Sequence, residues 1–308
     1  MSVFRPARLI ILPVFLWLSA CTSTRPGQTC QKNTRIVPSQ LQTVSLLGRP
    51  LTATPPSTDR ARLEADLAAA RRELAADPDD PDKIVWVGRR LGYLWRMNEA
   101  IELYSRGIER RIKQAAFPVA KELADFDFST VPKLNKKRVL DLARCQFIEQ
   151  RANVVLNGAP GVGKTHLAIA IGREACRRGH KVRFFTASGL VNTYIEAREE
   201  RQVLRLEKHI CRNDLIVIDE LGYIPLDRSG AEHLFGFFSR CYEQTSLIVT
   251  TNLPFAEWPQ IFAGDERLAG ALLDRLTHHV YILDITGDSY RLKASLKRHK
   301  KQGGDTAV

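Results

Sequence analysis

The stretch Val154-Val155-Leu156-Asn157-Gly158-Ala159-Pro160-Gly161-Val162-Gly163-Lys164-Thr165 decides the fold. Its first four residues read as a short apolar strand, and a helix is expected from Lys164 to about Arg178. Between them, Gly158 to Thr165 fits G-x-x-x-x-G-K-[ST] in the strand-then-helix setting that gives the pattern its meaning. The chemistry explains the spacing. A triphosphate needs many hydrogen-bond donors in a small concave space, and glycines let backbone N–H groups converge there without side-chain clash. The helix start adds unpaired N–H groups and its positive dipole end. Lys164 can reach β- and γ-phosphate oxygens, and Thr165 can place its hydroxyl on Mg²⁺. The expected ATP-binding residues are therefore Gly158, Ala159, Pro160, Gly161, Val162, Gly163, Lys164 and Thr165. His166, next on the helix, is carried with them, although a structural role suits it better.

Downstream, Leu215-Ile216-Val217-Ile218-Asp219-Glu220 is an apolar strand ending in two carboxylates. Ligands of an open parallel sheet sit at the carboxyl ends of its strands. Asp219 is thus expected beside the phosphate loop, holding the Mg²⁺ shell with Thr165, and Glu220 is placed to orient or deprotonate the attacking water. Two more strands are expected over Val182–Thr186 and Leu247–Thr250, and a last one over Val280–Ile285. Helical stretches lie at Ser188 to about Arg212, Ala231–Glu243 and Arg267–Thr277. Continuous Val/Ile runs separated by helices imply an α/β fold, a parallel sheet covered on both faces.

Further segments carry a resemblance. Phe126-Asp127-Phe128, Pro132-Lys133-Leu134-Asn135, Leu156 to Ala168, Val217 to Arg228, Val249 to Phe255 and Asp288-Ser289-Tyr290-Arg291 resemble segments of the IstB-type transposase-helper ATPases. These are P-loop ATPases of the AAA+ kind, related to the DnaC helicase loaders and to DnaA. The resemblance covers about residues 112–298. It implies a sensor-1 role for Asn252, an arginine-finger role for Arg275 toward a neighbouring subunit's ATP, and a sensor-2 role for Arg291. With Lys164 and Glu220 these form the expected catalytic set. Phe126 and Phe128 pack either near the adenine or under the sheet. The family also implies a homo-oligomer when ATP-bound that coats double-stranded DNA and delivers a transposase. Lys133, Lys136, Lys137, Arg138, Arg177, Arg178, Lys181, Arg183 and the tail from Arg291 to Lys301 offer charge for phosphate contacts.

A formal charge of +12 over 308 residues favours polyanionic partners. With 44% hydrophobic and 26% charged residues, the chain is expected to be globular. Six cysteines without a C-x-x-C pair give no disulfide framework or zinc motif, and Cys145, Cys176, Cys211 and Cys241 read as small core residues.

The amino-terminal part reads differently. Arg5 and Arg8 precede an apolar run from Leu9 to Leu18, and Leu18-Ser19-Ala20-Cys21 resembles a lipobox. Residues 1–20 are thus signal-like and 21–58 a polar linker. Residues 59–110 resemble a truncated tetratricopeptide-like helical segment, with helices from about Asp59 to Ala76 and Asp82 to Arg110. The ATPase region follows over 112–298, and a basic tail over 299–308. A chimeric gene, a lipoprotein fragment joined to a transposition ATPase, is the simplest reading. Location divides likewise: cytoplasmic for a working ATPase, membrane-anchored if Cys21 is processed. The alternative functions are a DnaC-like helicase loader and a membrane-anchored scaffold with an inert ATPase half.

Overall fold

The computed structural model describes residues 41–44, 50–52 and 59–290. The signal-like segment with Cys21, the basic tail and Arg291 lie outside the described residues. The chain divides into two units, residues 1–52 and 53–308. In the first, β1 (Leu41–Val44) and β2 (Pro50–Thr52) pair antiparallel, within the stretch expected to be a polar linker.

The second unit opens with three helices, α1 (Arg60–Ala76), α2 (Pro81–Tyr93) and α3 (Met97–Ala115). Asp80 caps α2, its carboxylate accepting the Asp82 N–H, and Pro81 takes the first helical position, where a missing N–H costs nothing. Leu67, Ala70, Val87, Leu91, Leu94 and Ala100 form the small core of this helical segment.

Here the structure departs from the expected boundary at Ile112. Nothing between Arg110 and Ala115 breaks a helix, so α3 runs through and stops only at Ala116, which turns left-handed (φ 57°). Its last residue, Ala115, is buried in the core of the α/β body. Arg111 and Lys181 both pair with Asp82, at 2.5 and 2.8 Å, tying α3 and the start of the strand at Val182–Thr186 to α2. Single-turn segments at Leu123–Asp125 and Phe128–Thr130 follow, then α4 (Lys136–Leu142) and α5 (Gln146–Glu149), neither of which the apolar periodicity announced.

The body alternates β3 (Asn153–Gly158), α6 (Lys164–Arg177), β4 (Val182–Thr186), α7 (Ala187–Glu199), α8 (Val203–Ile210), β5 (Leu215–Leu221), α9 (Arg228–Cys241), β6 (Ser246–Thr251), α10 (Glu266–Thr277) and β7 (Val280–Ile285). The helical stretches expected up to Arg212 are two helices, separated where Arg201 takes a left-handed conformation (φ 57°). The strands form one parallel sheet in the order β4-β5-β6-β3-β7.

Strand alternation divides the core. Val154, Leu156, Val217 and Ile248 face α6, α4 and α5. Val155, Ile216, Ile218 and Val249 face α7, α9 and α10. Each such fully buried aliphatic side chain stabilises by about 1.5–3 kcal/mol before entropy is charged. Cys145, Cys176 and Cys241 sit in these cores as expected, while Cys211 is half-buried. Burial pushes the Cys145 and Cys176 thiols up to about 12, so they act as small hydrophobes. Among the described residues no helix is long and apolar enough to cross a membrane.

Candidate active site

The strand order sets the site. β3 lies between β6 and β7, both later in the chain. The connection from β3 through α6 runs to β4 at one edge, whereas that from β6 through α10 runs to β7 at the other. A crevice forms at the carboxyl ends of strands where such connections diverge. The loop from Gly158 to Gly163 crosses it.

Gly161 (φ 84°) and Gly163 (φ 98°) hold backbone conformations that side chains rarely adopt. Space forbids a side chain as well: a Cβ on Gly161 would lie 2.2 Å from Ser289 Oγ, and one on Gly163 would lie 2.7 Å from the Phe126 ring. Ala159 and Pro160 are exposed at the loop's crest, and Val162 points into the core. Gly163 is the residue before α6, so the helix begins inside the motif as the sequence predicts.

Lys164 is half-buried and its ammonium donates to the loop carbonyls of Gly158 (2.6 Å) and Ala159 (2.9 Å). Its charge therefore sits inside the curve of the loop. Thr165 Oγ1 donates to Asp219 Oδ1 at 2.9 Å. This contact joins the phosphate loop to the tip of β5, although β6 lies between β3 and β5 in the sheet. Asp219 is 4% exposed, whereas Glu220 is exposed beside it.

The difference between the two carboxylates comes from a bulge. The β5–β6 register runs Ile218↔Val249 and then jumps to Leu221↔Thr251. Glu220 sits in the jump with φ 62°. A bulge bends a strand and re-aims its side chains. Here it separates a buried carboxylate from an exposed one in adjacent residues. Glu220 lines a small cleft with Ala187, Ser188, Gly222 and Tyr223.

Thr165 and Asp219 offer a hydroxyl and a carboxylate within hydrogen-bond distance of each other. Hard oxygen donors of this kind fit Mg²⁺, which keeps several waters and takes one or two protein ligands beside phosphate oxygens.

Other expected site residues fall in different places. His166 Nε2 meets the Glu122 backbone carbonyl at 2.8 Å, and its ring packs edge-on against Phe126 at 5.3 Å. Its role is to hold the segment before α4 against the phosphate-loop helix. Phe126 is buried in the core over Gly163, and half-buried Phe128 packs against it at 4.9 Å. Glu122 completes this clamp by accepting from Arg173 (2.9 and 2.5 Å) and Arg177 (2.7 Å). Burial pushes the Glu122 carboxyl up, but the hydrogen bonds from Arg177 and Arg173 outweigh it and hold it below the usual range. On the loop's other side, the Tyr290 N–H donates to the Gly161 carbonyl at 3.1 Å. The segment from 288 to 290 thus approaches the phosphate loop.

Asn252 is half-buried, one residue past β6, whose last residue pairs with Asn157 of β3. Arg275 lies on α10, donates to the Ala271 carbonyl at 2.6 Å and sits 5.1 Å over the Phe235 ring. Its recorded contacts are with α10 and α9, not with the phosphate loop.

The basic residues also separate. Arg177 is spent on Glu122 and Glu174, Arg178 on the Ala143 carbonyl, Lys181 on Asp82 and Arg183 on the Gln114 carbonyl. These four are paired within the chain, while Arg177, Arg178 and Lys181 remain exposed. Lys133, Lys136, Lys137 and Arg138 are exposed at and before the start of α4.

The sequence reading missed Thr250. This residue is 1% exposed, and its hydroxyl donates to Asp219 Oδ1 at 2.5 Å and accepts the Glu220 N–H at 2.9 Å. The available signal was a hydroxyl inside a strand buried on both faces, where a polar group needs a partner.

The sequence pattern of the family described as IstB-like ATP binding protein matches residues 62–298. The match starts inside α1 and takes in the three helices that precede the sheet. An ATP-binding protein of insertion sequence IS21 from Pseudomonas aeruginosa is 44% identical over 194 residues, 63% of this chain and 73% of its own length. One of insertion sequence IS5376 from Geobacillus stearothermophilus is 40% identical over 212 residues, 68% of this chain and 84% of its own. Among solved structures, the crystal structure of the DnaC helicase loader aligns with a TM-score of 0.42 at 20% identity, covering 58% of this chain and 99% of that one.

Proposed function

The chain belongs to the IstB-like ATP-binding family, and on that premise we propose that it is an ATPase serving as the DNA-associated helper of a transposition system. One observation carries the catalytic part: the Thr165–Asp219 hydrogen bond, which brings the phosphate-loop helix and the acidic strand tip to one point.

The roles follow from the placement. Backbone N–H groups from Gly158 to Thr165 bind the triphosphate, with the amino terminus of α6 behind them. The Lys164 ammonium, already inside the loop's curve, exchanges loop carbonyls for β- and γ-phosphate oxygens. Thr165 and Asp219 would hold Mg²⁺, which would supply charge neutralisation of the phosphates. Glu220, exposed where Asp219 is buried, accepts a proton from the attacking water or orients it. Asn252 reads the γ-phosphate or the water from the tip of the strand beside the loop. Arg275 acts on a neighbouring copy's nucleotide in an ATP-bound oligomer, and Arg291 on its own. A cation there stabilises charge that develops on the transferred phosphoryl group.

Double-stranded DNA is the polyanion this basic chain serves, through contacts with little sequence content such as those open to Lys133, Lys136, Lys137 and Arg138. A transposase is the protein partner, consistent with relatives named for insertion sequences. Such work belongs in the cytoplasm. The lipoprotein-like leader with Cys21 then reads as a fused segment, and the family match begins at residue 62, inside the stretch expected to belong to that fragment.

The test is ATP hydrolysis with and without duplex DNA, for the full chain and for Lys164→Ala and Glu220→Gln. DNA-stimulated hydrolysis, lost in both variants, is expected. Equal rates for wild type and Lys164→Ala would remove the enzymatic reading. ATPase activity indifferent to DNA would remove the helper role.

A further inference from the structure

Thr250 occupies the strand that separates the phosphate-loop strand from the acidic strand. From there one hydroxyl touches both acidic residues in different ways. It donates to the Asp219 carboxylate and accepts from the Glu220 backbone. The same Asp219 Oδ1 accepts from Thr165. A chain of hydrogen bonds therefore runs from α6 through Asp219 and Thr250 to the backbone of Glu220.

The Glu220 N–H lies where the β5–β6 register jumps, and Glu220 has a left-handed backbone without being glycine. Such a conformation persists only where its surroundings hold it. The Thr250 hydroxyl supplies that hold at the N–H itself, and the short bond to Asp219 fixes the hydroxyl's own direction. A hydroxyl has one proton to give and lone pairs to accept with, so it can do both at once. Valine has the same branched shape and can do neither.

We propose that Thr250 is a positioning residue for ATP hydrolysis: its hydroxyl latches the bulge at Asp219–Glu220, fixing the backbone from which the Glu220 carboxylate projects. Thr250 touches no reacting atom. It acts through Glu220, and through the orientation of Asp219 toward Thr165. The inference rests on the reading above, in which those two carboxylates serve hydrolysis.

The experiment compares wild type, Thr250→Val and Thr250→Ser in the full chain. It reads kcat and KM for ATP, affinity for a fluorescent ATP analogue, melting temperature, and amide hydrogen exchange in peptides spanning 219–222. Thr250→Val is expected to lower kcat tenfold or more, to leave analogue affinity within about threefold, and to speed exchange at the bulge. Thr250→Ser is expected to keep wild-type rate and exchange. A Thr250→Val protein with wild-type kcat and unchanged exchange overturns the proposal. So does a Thr250→Ser protein that melts normally yet loses both, a result that remains decisive should the valine variant fail to fold. If wild type itself hydrolyses no ATP, the catalytic reading fails. The exchange comparison still decides whether the latch exists.

Discussion

At Glu220 the backbone stands at φ 62°, a region that costs a non-glycine residue about 1–2 kcal/mol. Glu220→Gly should relieve the strain while adding unfolded-chain entropy, for a net gain of about 0.5–1 kcal/mol. In a domain of this size that raises the melting temperature by about 1–4 °C. The same variant should lose hydrolysis, since the carboxylate is gone. Thermal melts beside rate assays check this, and a variant that melts lower than wild type contradicts the claim of strain. At this scale the sequence was readable where the chemistry is written as a pattern. Gly158 to Thr165 and Asp219-Glu220 announce themselves. Thr250 does not, because its importance lies in which strand it occupies, and strand order is not visible in one sequence. Nor could pattern alone show that Arg177 and Lys181 are paired, since their partners Glu122 and Asp82 are far away along the chain.

Among the elements, the joint between the three helices and the sheet turns on Asp82. Arg111 is 8% exposed and pairs with Asp82, which also takes Lys181. Burial pushes the Asp82 carboxyl up, but Lys181 and Arg111 outweigh it and bring it below the ordinary value of 3.8. Replacing it by asparagine leaves a buried guanidinium without its counter-charge. A fully buried pair broken in this way loses about 3–5 kcal/mol. Asp82 itself is half-exposed, so about 1–3 kcal/mol is expected here. The depressed acid adds stability above the unfolded value, and that contribution is lost as pH falls through the folded one. Denaturant unfolding of wild type and Asp82→Asn should therefore differ at pH 7 and draw together only as pH falls below 3.8 through the lowered folded value. A difference independent of pH would assign the loss to packing alone. The elements of the body were legible because long apolar runs alternate with helical periods. The boundary expected at Ile112 falls inside α3, since a change of resemblance need not coincide with the end of a helix. The helix itself has no breaker until Ala116.

For the molecule as a whole, the parallel sheet brings together residues far apart in sequence. Phe126, Gly163, Thr165, Asp219, Thr250 and Ser289 meet at one end of five strands. A single alternating pattern foretold that architecture, since runs such as Leu215–Ile218 can be buried on both faces only inside a covered parallel sheet. It did not foretell the strand that lies between β3 and β5, across which Thr165 and Asp219 bond. That junction is where nucleotide phosphate and metal are expected to bind. The most direct test is a crystal structure of the full chain with magnesium and a non-hydrolysable ATP analogue. The triphosphate is expected within the Gly158–Thr165 loop, with Lys164 turned from the loop carbonyls to the phosphates and a magnesium ion between Thr165 and Asp219. An analogue bound elsewhere, or a loop that keeps Lys164 on Gly158 and Ala159 with no nucleotide at saturating concentration, contradicts it.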